Sequence, residues 1–129
     1  MSQEPEWLST PAVLSIHQQL LYEFGGAEGL RDRGLLESTL SRPRHLWRYE
    51  QPDIPDLAAA YAFGIARNHP FVDGNKRTAL TAAFVFLAIN GHEVEAEEAE
   101  VVVMTVDLAA KSIHQEQYAS WLRDHCRKA

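Results

Sequence analysis

Apolar side chains recur along the chain at three- and four-residue intervals in separated runs, the period of amphipathic helices. The first run sets Val13, Leu14, His17, Leu20, Leu21 and Phe24 on one stripe. Thr10 is placed to cap it, Pro11 to open it and Gly25-Gly26 to stop it. The second run, Leu35, Leu36, Thr39 and Leu40, follows a capping Asp32 and is expected to end before Pro43. Between Arg44 and Asp53 the period is lost. His45, Trp47 and Tyr49 alternate there with Leu46 and Arg48, which predicts a short strand pair or flap.

Helical spacing resumes behind Asp53 or Asp56 with Leu57, Ala60, Tyr61, Gly64 and Ile65. Three consecutive alanines at 58–60 make this helix narrow enough for close packing. The next run, from about Lys76 to Asn90, spans about 22 Å as a helix. It is apolar on nearly every side, which predicts a central, buried helix, and Gly91 ends it. A fifth helix is expected over about Ala96 to Lys111. A sixth, near Gln115 to His125, turns Tyr118, Trp121 and Leu122 inward. The pattern predicts an all-α fold, a compact bundle of about six helices around the buried fourth one, with room for a small β-hairpin near residues 45–52. No repeat, low-complexity tract or linker divides it, so residues 1–129 read as one domain.

Composition narrows the function classes. A 46% hydrophobic content supports one core, and no apolar stretch approaches the roughly 18 residues of a membrane span. The segment before Pro11 carries Glu4 and Glu6 and does not resemble a secretory leader, so a cytoplasmic protein is expected. Cys126 is the only cysteine and reads as a free thiol. A net charge of −6 argues against a broad nucleic-acid surface, although Arg31, Arg33, Arg42, Arg44 and Arg48 make the N-terminal half locally basic. The acidic run from Glu93 to Glu100 reads as a solvated loop and helix start. Trp7, Trp47 and Trp121 read as core or flap residues. No phosphate-binding Gly-x-x-x-x-Gly-Lys-(Ser/Thr) loop occurs, and His92, His114 and His125 lack zinc-ligand spacing.

The chemistry concentrates in His-Pro-Phe-Val-Asp-Gly-Asn-Lys-Arg-Thr-Ala-Leu, from His69 to Leu80, immediately before the apolar helix. A helix N-terminus presents unpaired N–H groups and the positive end of a dipole, a ready anion site. Lys76 and Arg77 oppose that dipole unless an anion sits between them. Asp73 can hold a hard cation such as Mg²⁺, which bridges to phosphate oxygens. Gly74 allows a phosphate to approach the backbone, and Asn75 can cap the helix or join the anion site. Histidine exchanges a proton near neutral pH, so His69 is the candidate general base; Pro70 keeps it out of the helix, in the loop before it. Phe71 reads as the apolar anchor of that loop. Phosphate, metal and base in one short segment point to phosphoryl or nucleotidyl transfer.

This segment resembles the active-site motif of the Fic superfamily, His-x-Phe-x-(Asp/Glu)-Gly-Asn-x-Arg-x-x-Arg, with His69, Phe71, Asp73, Gly74, Asn75 and Arg77 in register. It is more similar to the death-on-curing (Doc) toxin branch, which has Asn-Lys-Arg where most Fic enzymes have Asn-Gly-Arg. Tyr22-Glu-Phe-Gly-Gly26, Gly29-Leu-Arg-Asp-Arg-Gly34 and Phe86-Leu-Ala-Ile-Asn-Gly-His92 extend the resemblance over most of the chain. It implies a Fic/Doc-like bundle in which His69 is catalytic, Asp73 holds Mg²⁺, and Gly74, Asn75, Lys76 and Arg77 bind the phosphates of ATP. Lys76 in place of glycine and Leu80 in place of the final arginine imply the reversed nucleotide of Doc toxins. Those toxins phosphorylate elongation factor Tu and are paired with Phd-type antitoxins. Gly74, where Doc commonly has alanine, keeps AMP transfer as the alternative. A catalytically silent binding module is the alternative of another class. The nearest string to the inhibitory helix of many Fic proteins, Ser112 to Gln117, fails at its last position and reads as an interhelix turn, so an inhibitor is expected on another chain.

Overall fold

The computed structural model describes residues 3–129. Six helices follow in order: α1 (Thr10–Phe24), α2 (Arg33–Glu50), α3 (Ile54–Asn68), α4 (Asn75–Ile89), α5 (Glu98–Ala109) and α6 (Gln115–His125). Two short strands, β1 (His92–Val94) and β2 (Cys126–Lys128), pair antiparallel with Val94 opposite Cys126. The fold is all-α with this one small sheet. Its place differs from expectation: the strands lie beyond α4 and α6, and residues 45–50 are helical.

That difference comes from Pro43, which lies inside α2 and does not end it. A proline in a helix interior costs about 3 kcal/mol. Here Pro43 is itself buried, and the helix beyond it carries Leu46 and Trp47 onto the core. Trp47 meets Trp7 edge to face with centroids 6.2 Å apart, and the Arg44 guanidinium lies over the same Trp7 ring. Burial of about 1.5–3 kcal/mol per large apolar side chain, with about 0.5–1.5 kcal/mol for an aromatic pair, offsets the proline. The alternation read as a flap is instead the last turns of α2, with Leu46 and Trp47 against the core and Tyr49 85% exposed.

The other ends follow local rules. Ser9, not Thr10, caps α1: its side chain accepts the Ala12 N–H at 3.1 Å. Asp32 and Asp53 cap α2 and α3 through the N–H groups of Leu35 and Asp56. His114 and Gln117 form a capping box on α6, so Ser112–Gln117 is an interhelix turn running into that helix. Arg123 binds Asp53 and Asp56 together. Glu93 and Glu95 pair with Arg127, and Glu98 and Glu100 occupy the first turn of α5, where acids suit the dipole.

α3 is the most enclosed helix. From Leu57 to Ala62 every side chain is fully buried, and it packs against α2, α4, α5 and α6. The triple alanine permits this closeness. At Gly64 an added Cβ would come within 2.6 Å of the Thr39 methyl on α2. Arg67 ties the end of α3 to the α5–α6 connection by donating to the carbonyls of Leu108 and Ile113. α4 packs on α1, α3, α5 and β1 through Ala79, Ala82, Ala83, Phe86 and Leu87, yet leaves Ile89 exposed and Leu80 half-covered. Its N-terminus meets the turn from α3 at the edge of the bundle. Among the described residues no helix is long and apolar enough to cross a membrane.

Candidate active site

The α3–α4 connection, His69 to Gly74, is held by a nearly complete set of hydrogen bonds. His69 is the C-cap of α3 in the left-handed region, φ 49° and ψ 58°, with its N–H on the Ile65 carbonyl. Pro70 and Phe71 dip into the core, and Phe71 is 1% exposed. Gly74, also left-handed at φ 79°, turns the chain into α4 as its N-cap.

Asn75 closes this loop. Its side-chain oxygen accepts the Phe71 N–H at 3.0 Å and its amide donates to the Phe71 carbonyl at 2.9 Å. The side chain is therefore buried and committed. Asn75 is the first residue of α4 rather than its cap, and no side chain caps this helix. What Asn75 can offer a phosphate is its backbone N–H. The first intrahelical bond runs from the Thr78 N–H to the Gly74 carbonyl. The N–H groups of Asn75, Lys76 and Arg77 have no hydrogen-bond partner among the described residues, as helix starts leave them.

His17 on α1 supports the loop from below. Its ring stacks on Phe71 with centroids 3.8 Å apart and planes 9° off parallel. Its Nε2 donates to the Asp73 carbonyl at 2.8 Å, which fixes the tautomer because a carbonyl only accepts. The Asp73 carboxylate is fully exposed. It accepts the Ala27 N–H at 3.0 Å and the Gly74 N–H at 2.8 Å. These two bonds, with weaker help from His17 and Arg77, hold its carboxyl below the ordinary carboxylate range. It is thus ionised at neutral pH, with lone pairs directed to solvent.

The segment from Gly26 to Asp32 lies along the back of the loop. Val72 donates to the Gly29 carbonyl, Leu30 and Phe71 form a β-bridge, and the N–H groups of Arg31 and Asp32 both reach the Pro70 carbonyl. Gly26 is required: a Cβ there would meet Asp73 Oδ2 at 2.8 Å.

One cavity of about 470 Å³ gathers the predicted residues. His69, Asp73, Gly74, Asn75, Lys76 and Arg77 line its polar side. Val72, Leu80, Val102, Thr105 and Val106 line the other, so α5 contributes an apolar wall. The Arg77 guanidinium rests over Phe24 at 4.2 Å, a cation–π contact that steadies a charge the helix dipole repels. Phe71 alone of the predicted residues lies outside the cavity, beneath the loop. The donor set fits a Mg²⁺–polyphosphate: one ionised carboxylate, three unpaired N–H groups and two cations. Magnesium commonly takes one or two carboxylates and completes its shell with phosphate and water.

Sequence reasoning set His17 on the apolar stripe of the first helix and Gly26 and Gly29–Gly34 in the resemblance, but gave neither these nor the α5 wall a part in the site. His17 was legible in principle as a polar residue one turn from both Val13 and Leu21, all three of them buried. The other two depend on tertiary pairing and leave no local signal.

A family model described as the Fic/DOC family matches residues 7–87. The protein kinase doc of Escherichia phage P1 is 33% identical over 117 residues, which span 90% of this chain and 92% of that one. Toxin Doc of Mycolicibacterium smegmatis is 46% identical over 76 residues, 57% of this chain and 58% of that one.

Proposed function

The chain belongs to the Fic/DOC family, and within it we propose that this protein is a Doc-like toxin transferring the γ-phosphate of ATP to a Ser or Thr hydroxyl of a translation factor. Elongation factor Tu is the leading target by resemblance, and arrest of translation in the cytoplasm is the outcome. One observation carries the reading: a single cavity joins a histidine, an ionised aspartate, two cations and three free N–H groups at one helix start. The similarity to a protein named a kinase, over nearly its whole length, supports it.

Phosphoryl transfer is mostly positioning and charge stabilisation, which is what these groups supply. His69, which lines the cavity and whose ring makes no hydrogen bond among the described residues, takes the proton of the attacking hydroxyl. The hydroxyl oxygen bonds to the γ-phosphorus as the bond to the β–γ bridging oxygen breaks, and ADP leaves with that electron pair. Lys76, Arg77 and the N–H groups of the first turn bind the equatorial oxygens and the charge that develops on them. Asp73 would hold Mg²⁺, which would neutralise phosphate charge. Leu80 places no cation further along α4, so the polyphosphate is held by its γ end.

The runner-up, AMP transfer, rested on Gly74. A Cβ at Gly74 would point to His17 and Leu21 at 3.6 Å, towards α1 and away from the cavity. Glycine there answers the left-handed backbone and clears no space for a nucleotide, so it does not favour AMP transfer. Control is proposed to come from a Phd-like antitoxin, since Ser112–Gln117 is occupied as an interhelix turn and capping box. The test is incubation with bacterial lysate and ATP labelled at the γ or the α position. Label from the γ position should move to protein, with a phosphoryl mass increment on the target. An AMP increment would overturn the kinase reading, and nucleotide binding without transfer of either label would favour the silent module.

A further inference from the structure

We propose that Arg31 is the positioning residue of the catalytic histidine: its guanidinium fork selects the one backbone conformation that turns His69 into the cavity. The inference rests on His69 being the base of the proposed reaction and adds the device that aims it.

His69 has few conformations open to it. The proline that follows disfavours right-handed α geometry at His69 and ordinarily directs such a residue to extended backbone. His69 is instead left-handed, a strained conformation that a non-glycine residue keeps only where its surroundings over-determine it. Arg31 supplies that determination. Its Nε donates to the His69 carbonyl at 2.6 Å and its second nitrogen to the Asn68 carbonyl at 2.7 Å. These are two of the carbonyls a helix end leaves unpaired, and a cation at that end is favoured by the dipole. Both bonds are charge-assisted, and two acceptors held at once by one group suit a planar fork.

Arg31 is itself fixed from behind. Its own N–H and that of Asp32 share the Pro70 carbonyl, and Asp32 is pinned as the N-cap of α2. The arginine therefore registers His69 against α2 and against the Asp73 carboxylate, which the same segment grips through Ala27. Without the fork, extended backbone becomes the better choice at His69, and the imidazole swings away from the cavity. The guanidinium touches neither cavity nor reacting atoms, so its effect passes wholly through His69.

The test is a double-mutant cycle on label transfer from γ-labelled ATP in bacterial lysate. Arg31→Ala should lower the transfer rate about 10–100-fold, the scale of a misplacement near 1 Å, with KM for ATP unchanged within about 2-fold. Arg31→Lys, which keeps one of the two bonds, should recover part of the rate. On a His69→Ala background, Arg31→Ala should change nothing further. An equal loss on both backgrounds would overturn the proposal, since the arginine would then be a general brace, and so would an Arg31→Ala rate equal to wild type. If wild type moves no γ label, or His69→Ala moves it at full rate, the functional reading fails separately. The His69 backbone coupling constant and ring shifts by NMR then decide the positioning itself: they should change in Arg31→Ala, and unchanged values would overturn it. Urea midpoints of each variant confirm that the fold persists.

Discussion

Replacing Asn75 by alanine separates two roles that a motif residue at a helix start can have. The Asn75 side chain makes both backbone bonds of Phe71, at 3.0 and 2.9 Å, and Phe71 is 1% exposed. Alanine removes both partners at once and leaves a buried N–H and a buried carbonyl unpaired. Each such group costs about 1–3 kcal/mol. Partial entry of water into the vacated volume reduces the sum, so a loss of about 2–4 kcal/mol is expected. For a chain of this size that is a fall of roughly 10 °C in melting temperature. Urea unfolding followed by circular dichroism reads the loss as a lower midpoint at constant slope. ATP binding by calorimetry reads the site. A loop brace predicts that stability and binding fall together, and that Phe71 becomes accessible. A direct phosphate contact predicts unchanged stability with weaker binding. A variant within about 0.5 kcal/mol of wild type would refute the brace, since surface substitutions have that size.

Gly64→Ala should cost about 1–3 kcal/mol, because the new methyl would lie 2.6 Å from a Thr39 side chain held by bonds to Leu35 and Asn68; an unchanged urea midpoint would refute this. Asp73 titrates below its ordinary value of 3.8 when folded, because Ala27 and Gly74 donate to it. Its contribution to stability is therefore complete above that value and is lost as the pH falls through the depressed one. Asp73→Asn should flatten this acid limb in a stability-against-pH series, and a limb parallel to wild type would show that the carboxylate is not coupled to folding.

Much of this was written in the chain, and the reasons are local. Helices α1, α3, α5 and α6 announce themselves by apolar period and by polar caps such as Asp53. The order of chemistry around α4 follows from covalent neighbourhood alone: Gly74 must turn the chain, and whatever precedes and follows it must share the helix start. The misplaced flap has a physical cause too. Pro43 is a helix breaker by its own energetics and is overruled by Trp7, a residue far away in sequence that gives Trp47 a partner. The same applies to the rank of the central helix. α3 and α4 are equally apolar by composition, but α3 is the more enclosed, because alanines let four helices approach it. Composition reports how much a helix can bury, while the size of its side chains decides how many neighbours it admits.

Several departures from local rules meet at one point. His69 is left-handed without being glycine, and α4 begins without a side-chain cap. Lys76 and Arg77 stand against the dipole of the helix they open. The Thr78 hydroxyl is buried one turn in, with no hydrogen-bond partner among the described residues. Each costs stability in the free protein; Gln51 and Lys111 are also left-handed and α5 also lacks a side-chain cap, but the start of α4 gathers several such departures at one place. An anion at the start of α4 relieves two of the costs together, accepting from three N–H groups and placing negative charge between two cations. That relief is largest where negative charge is concentrated, and in phosphoryl transfer the equatorial oxygens are such a place. A fold that stabilised this helix start with its own aspartate cap would satisfy the backbone and lose the site. Gly74 offers the first-turn N–H groups no side-chain acceptor, so they remain unclaimed by a cap.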